Sequence, residues 1–166
     1  MAEPPATRPH MPGYGVLGPD EGSGLLPWSW AIERLEASRD YWVATVWPDG
    51  RPHVVPVWGI WRDQELMFSC SRASRKARNL AADPRCVVTT SDPLEPVMVE
   101  GIAAELDDQG EIAWYASAIN RKHGVDYPVE FYTSPANMCL RITGVRAIGL
   151  AESDFTGSPT RWELSR

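Results

Sequence analysis

The sequence predicts a mainly β fold of the α+β class: an antiparallel split β-barrel of about seven short strands with three flanking helices. Two observations lead to this prediction. Segments rich in aromatic and β-branched residues follow one another with turn sequences between them, as in antiparallel sheets. Strands and helices also lack the regular alternation that builds a parallel sheet. Antiparallel strands of this kind commonly close into a barrel, which leaves few exposed edges.

The first half of the chain is predicted to form a helix, a three-stranded meander and a second helix. Residues 28–38 place apolar side chains at helical spacing on one face, with Ser29 available as a cap. Turn residues at Pro48–Arg51 and Arg62–Glu65 separate the strands of the meander. The predicted strands are Tyr41–Trp47, Pro52–Trp61 and Glu65–Cys70, and the second helix runs from about Ala73 to Ala82 before Asp83–Pro84.

The second half is predicted to add four strands and a third helix. Gln109–His123 carries apolar residues at helical spacing and ends at Gly124, a natural C-cap. A loop is expected from there through Pro135. The predicted strands are Arg85–Ser91, Val97–Leu106, Met138–Thr143 and Val145–Ala151, with Gly144 at the junction of the last two.

Length, composition and charge limit the classes of protein. A chain of 166 residues suits one domain, and we expect a flexible N-terminal tail over 1–24 and a single cofactor-binding domain over 25–166. The net charge of -6 argues against a nucleic-acid-binding protein. Because the sequence has neither an apolar run of bilayer length nor a signal peptide, and its three cysteines are scattered, we expect a cytoplasmic protein without membrane contact.

Several kinds of catalytic site are not expected. The three histidines are scattered and the cysteines form no CxxC pair, so no metal site is predicted. The sequence also has no GxSxG elbow, P-loop or GxGxxG motif. Acyl transfer, nucleoside triphosphate hydrolysis and ordinary dinucleotide binding therefore lack their usual local sequences.

A cationic segment marks the predicted start of the second helix. Arg72, Arg75, Lys76 and Arg78 lie within seven residues, next to Ser74, in an acidic protein. The start of a helix attracts anions through its free N–H groups and the helix dipole, and cations there are unfavourable without one. The pattern predicts a phosphate site, with Arg75 and Lys76 as its best candidates. Arg72 and Arg78 either line its rim or balance neighbouring carboxylates.

Two further features point to a flat ligand. Pro56 interrupts a predicted strand, which indicates either an edge strand or a place where backbone groups turn toward a ligand. Eight tryptophans suit a flat pocket, an intersubunit surface or ordinary packing. His53 in the same strand either faces the ligand or is a structural histidine.

An ordered set of motifs resembles a known superfamily. Tyr41–Thr45, Asp49–Trp58, Phe68–Ser69, Ser74–Leu80 and Asp83–Arg85 together resemble the pyridoxamine 5'-phosphate oxidase-like, FMN-binding split β-barrel superfamily. The similarity extends from Trp28 to Thr160–Trp162, and within the superfamily the chain looks most like the B-type flavin- and deazaflavin-dependent oxidoreductases, whose usual cofactor is coenzyme F-420. The C-terminal substrate motif of the true pyridoxamine phosphate oxidases is absent, so oxidation of vitamin B6 is not expected.

The resemblance implies a homodimer with two cofactor sites at the subunit interface and a small-molecule substrate. It assigns the cofactor phosphate to Arg75 and Lys76, with Ser74 next to them and Arg78 in the same motif. It implies that the cofactor does the chemistry, so that no catalytic acid or base is needed. The other residues it implies are Val55, Pro56 and Val57 at the ring, Ser69 and Cys70 near the ribityl chain, Asn79 in the same motif, and Trp58, Trp61 and Trp114 at the substrate pocket.

Three functions follow as expectations. The first is hydride transfer from reduced coenzyme F-420 to a small conjugated or planar organic substrate. The second is an FMN-dependent oxidoreductase of the same family. The third, from a different class, is a non-catalytic protein that binds a flavin or a tetrapyrrole on this scaffold.

Overall fold

The computed structural model describes residues 3–164, whose strands form one eight-stranded antiparallel sheet. The strands are β1 (Ala6–Thr7), β2 (Asp40–Val46), β3 (Pro52–Arg62), β4 (Glu65–Ser71), β5 (Arg85–Thr90), β6 (Val97–Glu105), β7 (Asn137–Gly149) and β8 (Thr160–Glu163). Their order is β1-β8-β7-β4-β3-β2-β5-β6, and β6 also pairs with β7. That last pairing closes β2 to β7 into a six-stranded barrel, which β8 and β1 extend.

Four α-helices flank the barrel: α1 (Trp28–Ala37), α2 (Arg75–Ala82), α3 (Gln109–His123) and α4 (Val129–Thr133). Ser74 caps α2, where its hydroxyl accepts from the Ala77 N–H at 3.3 Å. Asp108 caps α3 in the same way, and Gly124 ends it in the left-handed region at φ 68°. The three predicted helices are confirmed, whereas α4 replaces part of the predicted loop. A helix of one turn has too few residues to give a periodic signal.

Two apolar clusters hold these elements together. The barrel interior contains Tyr41, Val43, Phe68 and Ile142, all with no exposed surface. A second cluster joins the outer face of β4 and β7 to the helices α3 and α4, and its members are Met67, Leu106, Ile112, Tyr115, Ala116, Ile119, Tyr132 and Cys139. The second cluster therefore fixes α3 and α4 against the outside of the barrel.

The fold class is confirmed, but the last part of the sheet differs from the prediction. Residues 137–149 form the single strand β7, which continues through Gly144. A Cβ at Gly144 would lie 2.7 Å from Leu164 Cδ1 and 3.0 Å from Val99 Cγ1, so glycine is required by crowding and does not break the strand. The register of β6 with β7 shifts between Glu100 and Gly101 instead.

The N-terminal segment makes contacts that the expectation of a flexible tail does not anticipate. Strand β1 pairs with β8, with Ala6 opposite Trp162. The Arg8 guanidinium donates to the carbonyl oxygens of Gly18 at 2.9 Å and Pro159 at 2.8 Å. Residues before α1 therefore add a strand to the edge of the sheet.

The barrel is split between β3 and β4. β3 pairs with β2 from Pro52 to Trp58 but with β4 only from Gly59 to Arg62. Beyond this point β4 pairs with β7 alone, up to Ser71. Backbone groups of residues 52–58 that point away from β2 therefore have no partner strand, and α2 follows directly from the other side of the opening.

Candidate functional site

An aromatic cavity of about 290 Å³ lies where β3 and β4 diverge. One side is formed by the strands and the other by α3, α4 and the connection between them. The cavity is lined by Pro56, Val57 and Trp58 of β3, Ser69 of β4, Lys76 of α2, Tyr115 and Ile119 of α3, and Tyr127, Phe131 and Tyr132 in and beside α4.

Flat ring faces dominate both sides of the cavity. Tyr127 and Phe131 stack with their centroids 4.9 Å apart at 25°, and each exposes more than two fifths of its surface. Tyr132 meets Phe131 and Tyr115 edge to face. On the opposite side Trp58 is 45% exposed. Such a cavity suits a planar conjugated ring, because offset stacking on aromatic faces is favourable there.

The polar groups of the cavity are few and include no carboxylate. Tyr115 Oη donates to Ser69 Oγ at 3.4 Å. Burial raises the pKa of Tyr115 well above its ordinary value, so this hydroxyl keeps its proton at neutral pH. Lys76 supplies the only positive charge in the lining. The cavity therefore favours a neutral or anionic ligand.

The cations at the start of α2 differ from those on either side of it. Arg72 pairs with Glu105, and Arg85 with Asp83 at 2.6 Å. Within residues 3–164, Arg75, Lys76 and Arg78 have no carboxylate partner, and the Arg75 guanidinium lies 3.6 Å above the Trp47 ring. Three cations left unpaired in an acidic chain, beside a capped helix start, form a donor set suited to a phosphate. A flat ring joined to a phosphate therefore fits this site chemically.

The structure places only some of the residues expected at the site on the cavity. Pro56, Val57, Trp58, Ser69 and Lys76 line it. Trp61 does not, because it is 6% exposed and lies in the barrel core. Residues three apart on a strand face opposite sides of the sheet, so Trp58 and Trp61 cannot both face the cavity. Trp114 lies outside it, with the Arg62 guanidinium 3.8 Å above its ring.

Three other expected residues lie on the interior side of the sheet. Val55 is paired with the buried Val43. Cys70 packs against the barrel core, and burial raises the pKa of its thiol, although a hydrogen bond from Ser74 and the charge of Lys76 oppose this. Asn79 is fully buried. None of the three lines the cavity with its side chain.

Asn79 belongs to a short chain of hydrogen bonds at this end of the barrel. Its Nδ2 donates to Thr45 Oγ1 at 3.0 Å, and Thr45 Oγ1 lies 3.3 Å from His53 Nδ1. The chain joins α2 to β2 and β3. His53 is therefore hydrogen-bonded inside the protein, in agreement with its interpretation as a structural histidine. Arg78 is exposed, and Ser74 is occupied as the cap of α2.

Half of the cavity lining was not predicted from the sequence. The sequence predicts Tyr115 and Ile119 only as apolar residues at helical spacing, and it places residues 127–132 in a loop. The available signal was the closely spaced rings of Tyr127, Phe131 and Tyr132 directly after a helix, because several exposed rings in one connection indicate a ligand or partner surface.

The fold and the site together define the class of protein. The family model described as pyridoxamine 5'-phosphate oxidase matches residues 31–147. The chain belongs to this family. Within residues 3–164 no helix is long and apolar enough to span a membrane, and no three His, Cys, Asp or Glu residues are grouped as metal ligands.

Several solved structures share the fold at low sequence identity. An F-420 reductase is 22% identical, covers 69% of this chain and 93% of its own, and has a TM-score of 0.58. General Stress Protein 26 from Bacillus anthracis is 18% identical, with coverages of 82% and 97% and a TM-score of 0.65. The heme storage protein HutZ from Vibrio cholerae is 17% identical, with coverages of 69% and 87% and a TM-score of 0.57. No curated protein matches the sequence. At these identities the likeness establishes the fold alone.

Proposed function

We propose that the protein is an oxidoreductase that transfers a hydride from reduced coenzyme F-420 to a small conjugated or planar organic substrate. The proposal rests on the observation that the cavity and the start of α2 adjoin each other. A cavity walled by flat rings meets, at Lys76, a helix start whose cations have no carboxylate partner within residues 3–164.

The residues divide into two groups by what they bind. Arg75, Lys76 and the N–H groups at the start of α2 bind the cofactor phosphate. Backbone groups of β3 near Pro56 and Val57, left without a partner strand, hydrogen-bond the edge of the ring. When bound, the cofactor supplies the hydride chemistry.

The chain itself orients the ring and excludes water. The rings of Trp58, Tyr127 and Phe131 provide flat apolar contact and displace solvent from the reacting face. Tyr115 Oη, which retains its proton, donates to Ser69 Oγ and so leaves the Ser69 hydroxyl proton available to an acceptor in the cavity.

An FMN-dependent oxidoreductase is the second candidate, because FMN carries a closely similar tricyclic ring and the same phosphoribityl arm. The exposed and unpaired Arg78 favours coenzyme F-420, whose negatively charged tail continues beyond the phosphate. The third candidate is a tetrapyrrole-binding protein, since HutZ shares the fold. No histidine or cysteine side chain lines the cavity, so a haem iron would have only tyrosine side chains as protein ligands there.

A binding titration tests the proposal. Coenzyme F-420, FMN and haemin are titrated separately into the protein, and binding is followed by cofactor fluorescence or absorbance. We expect the tightest binding for coenzyme F-420, and on the order of a hundredfold weaker binding in the double variant Arg75→Ala/Lys76→Ala, since two charge-assisted contacts are lost.

The control for this titration is Arg121→Ala, which removes an exposed cation on α3. It should leave the affinity unchanged. Equal affinity of the double variant and the unaltered protein would refute the phosphate site, and tighter binding of haemin would favour the third candidate.

We also propose a homodimer formed through the outer face of β3, β2, β5 and β6. Six apolar side chains on this face each expose more than a third of their surface, which is unusual for a contiguous patch on a monomer. Trp58 belongs both to this face and to the cavity, so a second copy would cover the mouth of the site. The exposed members are Trp42 (42%), Val46 (45%), Val54 (57%), Trp58 (45%), Val87 (36%) and Ile102 (39%).

A further inference from the structure

The last turn of α3 carries a side chain whose hydrogen bonds run to the aromatic side of the cavity. Asn120 Nδ2 donates to Tyr127 O at 2.8 Å. Asn120 Oδ1 accepts from Tyr127 N at 3.3 Å and from Tyr132 Oη at 3.1 Å. Its backbone oxygen accepts from Val125 N at 3.1 Å. One residue thus holds the chain just before α4 and a ring within it.

The short helix α4 has few other attachments. It has five residues, no side-chain cap, and only Tyr132 is buried. At its far end Asn137 Nδ2 donates to Phe131 O at 2.8 Å. Because a helix of this length is not stable by itself, the placement of its rings depends on these bonds and on the packing of Tyr132 against Tyr115.

The same turn of α3 also fixes the opposite side of the cavity. Lys122 Nζ donates to Gly59 O at 2.8 Å. The His123 ring stacks on Trp58 with centroids 4.1 Å apart at 9°. The positions of Trp58 on one side and of Tyr127 and Tyr132 on the other are therefore both tied to the last turn of α3, through residues 120, 122 and 123.

We infer that Asn120 is a positioning residue, which holds the rings of Tyr127 and Tyr132 at a spacing from Trp58 that admits one flat conjugated ring. Its hydrogen bonds make the cavity selective for planar ligands, and they act on the ring rather than on the phosphate. The inference rests on the proposed function, because the planar ligand is the cofactor ring.

Probes with and without a phosphate separate the two contributions. Riboflavin and its 5-deaza analogue carry the ring without phosphate, and FMN and coenzyme F-420 carry both. We expect Asn120→Ala to weaken all four by a similar factor, about tenfold, because the ring contact is common to them. The fluorescence left at saturation should also rise, because the aromatic rings no longer lie flat on the probe. Arg75→Ala/Lys76→Ala should weaken only the two phosphate-bearing probes.

Two further variants distinguish positioning from a general loss of stability. Ser158 is fully buried and bonds to the Ala151 backbone away from the cavity, so Ser158→Ala should lower stability without changing ring affinity. In Asn120→Asp the side chain can still accept the hydrogen bonds from Tyr127 N and Tyr132 Oη. Its second carboxylate oxygen faces Tyr127 O and has no proton to donate. The affinity of this variant for uncharged riboflavin should recover as pH falls through the carboxyl pKa, because a protonated carboxyl can donate again.

The outcomes separate this inference from the proposed function. Equal ring affinity in Asn120→Ala and the unaltered protein overturns the role of Asn120 and leaves the phosphate site intact. If the probes without a phosphate bind as tightly as those with one, the phosphate site is overturned and the role of Asn120 is left intact. Failure of the unaltered protein to bind either ring overturns both.

Discussion

Single residues at the open end of the barrel join secondary structures that are distant in the sequence. Thr45 Oγ1 on β2 accepts a hydrogen bond from Asn79 on α2 and lies 3.3 Å from His53 Nδ1 on β3. Thr45 is 2% exposed and Asn79 has no exposed surface. If their hydrogen bond were lost, neither side chain could form one with water instead. The position of α2, and hence of its cations, depends on this series of hydrogen bonds.

We expect Thr45→Val to lower the free energy of unfolding by about 1–3 kcal/mol, because it leaves the buried Asn79 amide and a histidine nitrogen without a partner. Urea denaturation followed by tryptophan fluorescence measures the change. The exposed strand residue Thr143 gives the control, since Thr143→Val should change stability by no more than about 0.5 kcal/mol. Equal stability of the two variants would contradict a stabilising role for the hydrogen bonds of Thr45.

Residue types single out the cationic end of the candidate site better than its aromatic side. Arg75 and Lys76 could be singled out because cations at a helix start are unfavourable without an anion. Trp61 lies in the barrel core and not at the cavity, because strand alternation places it on the face opposite to Trp58. Asn79 and Thr45 were not linked, because a hydrogen bond between residues 34 apart in sequence leaves no local pattern.

Among the elements, strands β2 to β6 were predicted closely, whereas β1, β8 and the short helix α4 were not predicted. Alternating apolar residues and turn residues are local, so β2 to β6 were recovered closely from the sequence. The one-turn helix α4 depends on Asn120 and Asn137, which are distant side chains, and local propensity could not reveal it. The crowding at Gly144 is equally invisible to local sequence, since its neighbours are Val99 in β6 and Leu164 just after β8.

Gly144→Ala tests the continuity of β7. The added methyl would approach Leu164 Cδ1 and Val99 Cγ1 to 3.0 Å or less, so we expect a loss of about 1–3 kcal/mol from overpacking. Thermal or urea unfolding measures it, with Thr143→Ala as the neighbouring control. If Gly144 were instead a loose junction between two strands, alanine would be tolerated or would stabilise the protein slightly.

At the scale of the whole molecule, the outer face of the barrel is the main feature that folding of one chain leaves unexplained. The sheet is closed and its interior is filled, yet Val54 and Trp42 remain largely exposed on one face. The apolar content of the strands predicted a barrel, but alternation alone does not say which solvent-facing residues will meet another protein.

Val54→Glu tests the proposed dimer. Two carboxylates brought into an apolar contact would lose hydration without gaining a partner, so we expect the dimer to dissociate at micromolar concentration. Light scattering after size-exclusion chromatography measures the mass. The exposed turn residue Asp49, changed to Lys, is the control for altered charge. A monomeric mass for the unaltered protein would rule the dimer out.

Trp58 borders both the cavity and the outer face, so a ligand in the cavity and a second chain on the face would contact the same side chain. If association of two chains buries one edge of this indole and the cofactor ring covers another, the two equilibria are thermodynamically linked, and the linkage is reciprocal. Coenzyme would then lower the subunit dissociation constant by the same factor by which dilution into single chains weakens coenzyme affinity.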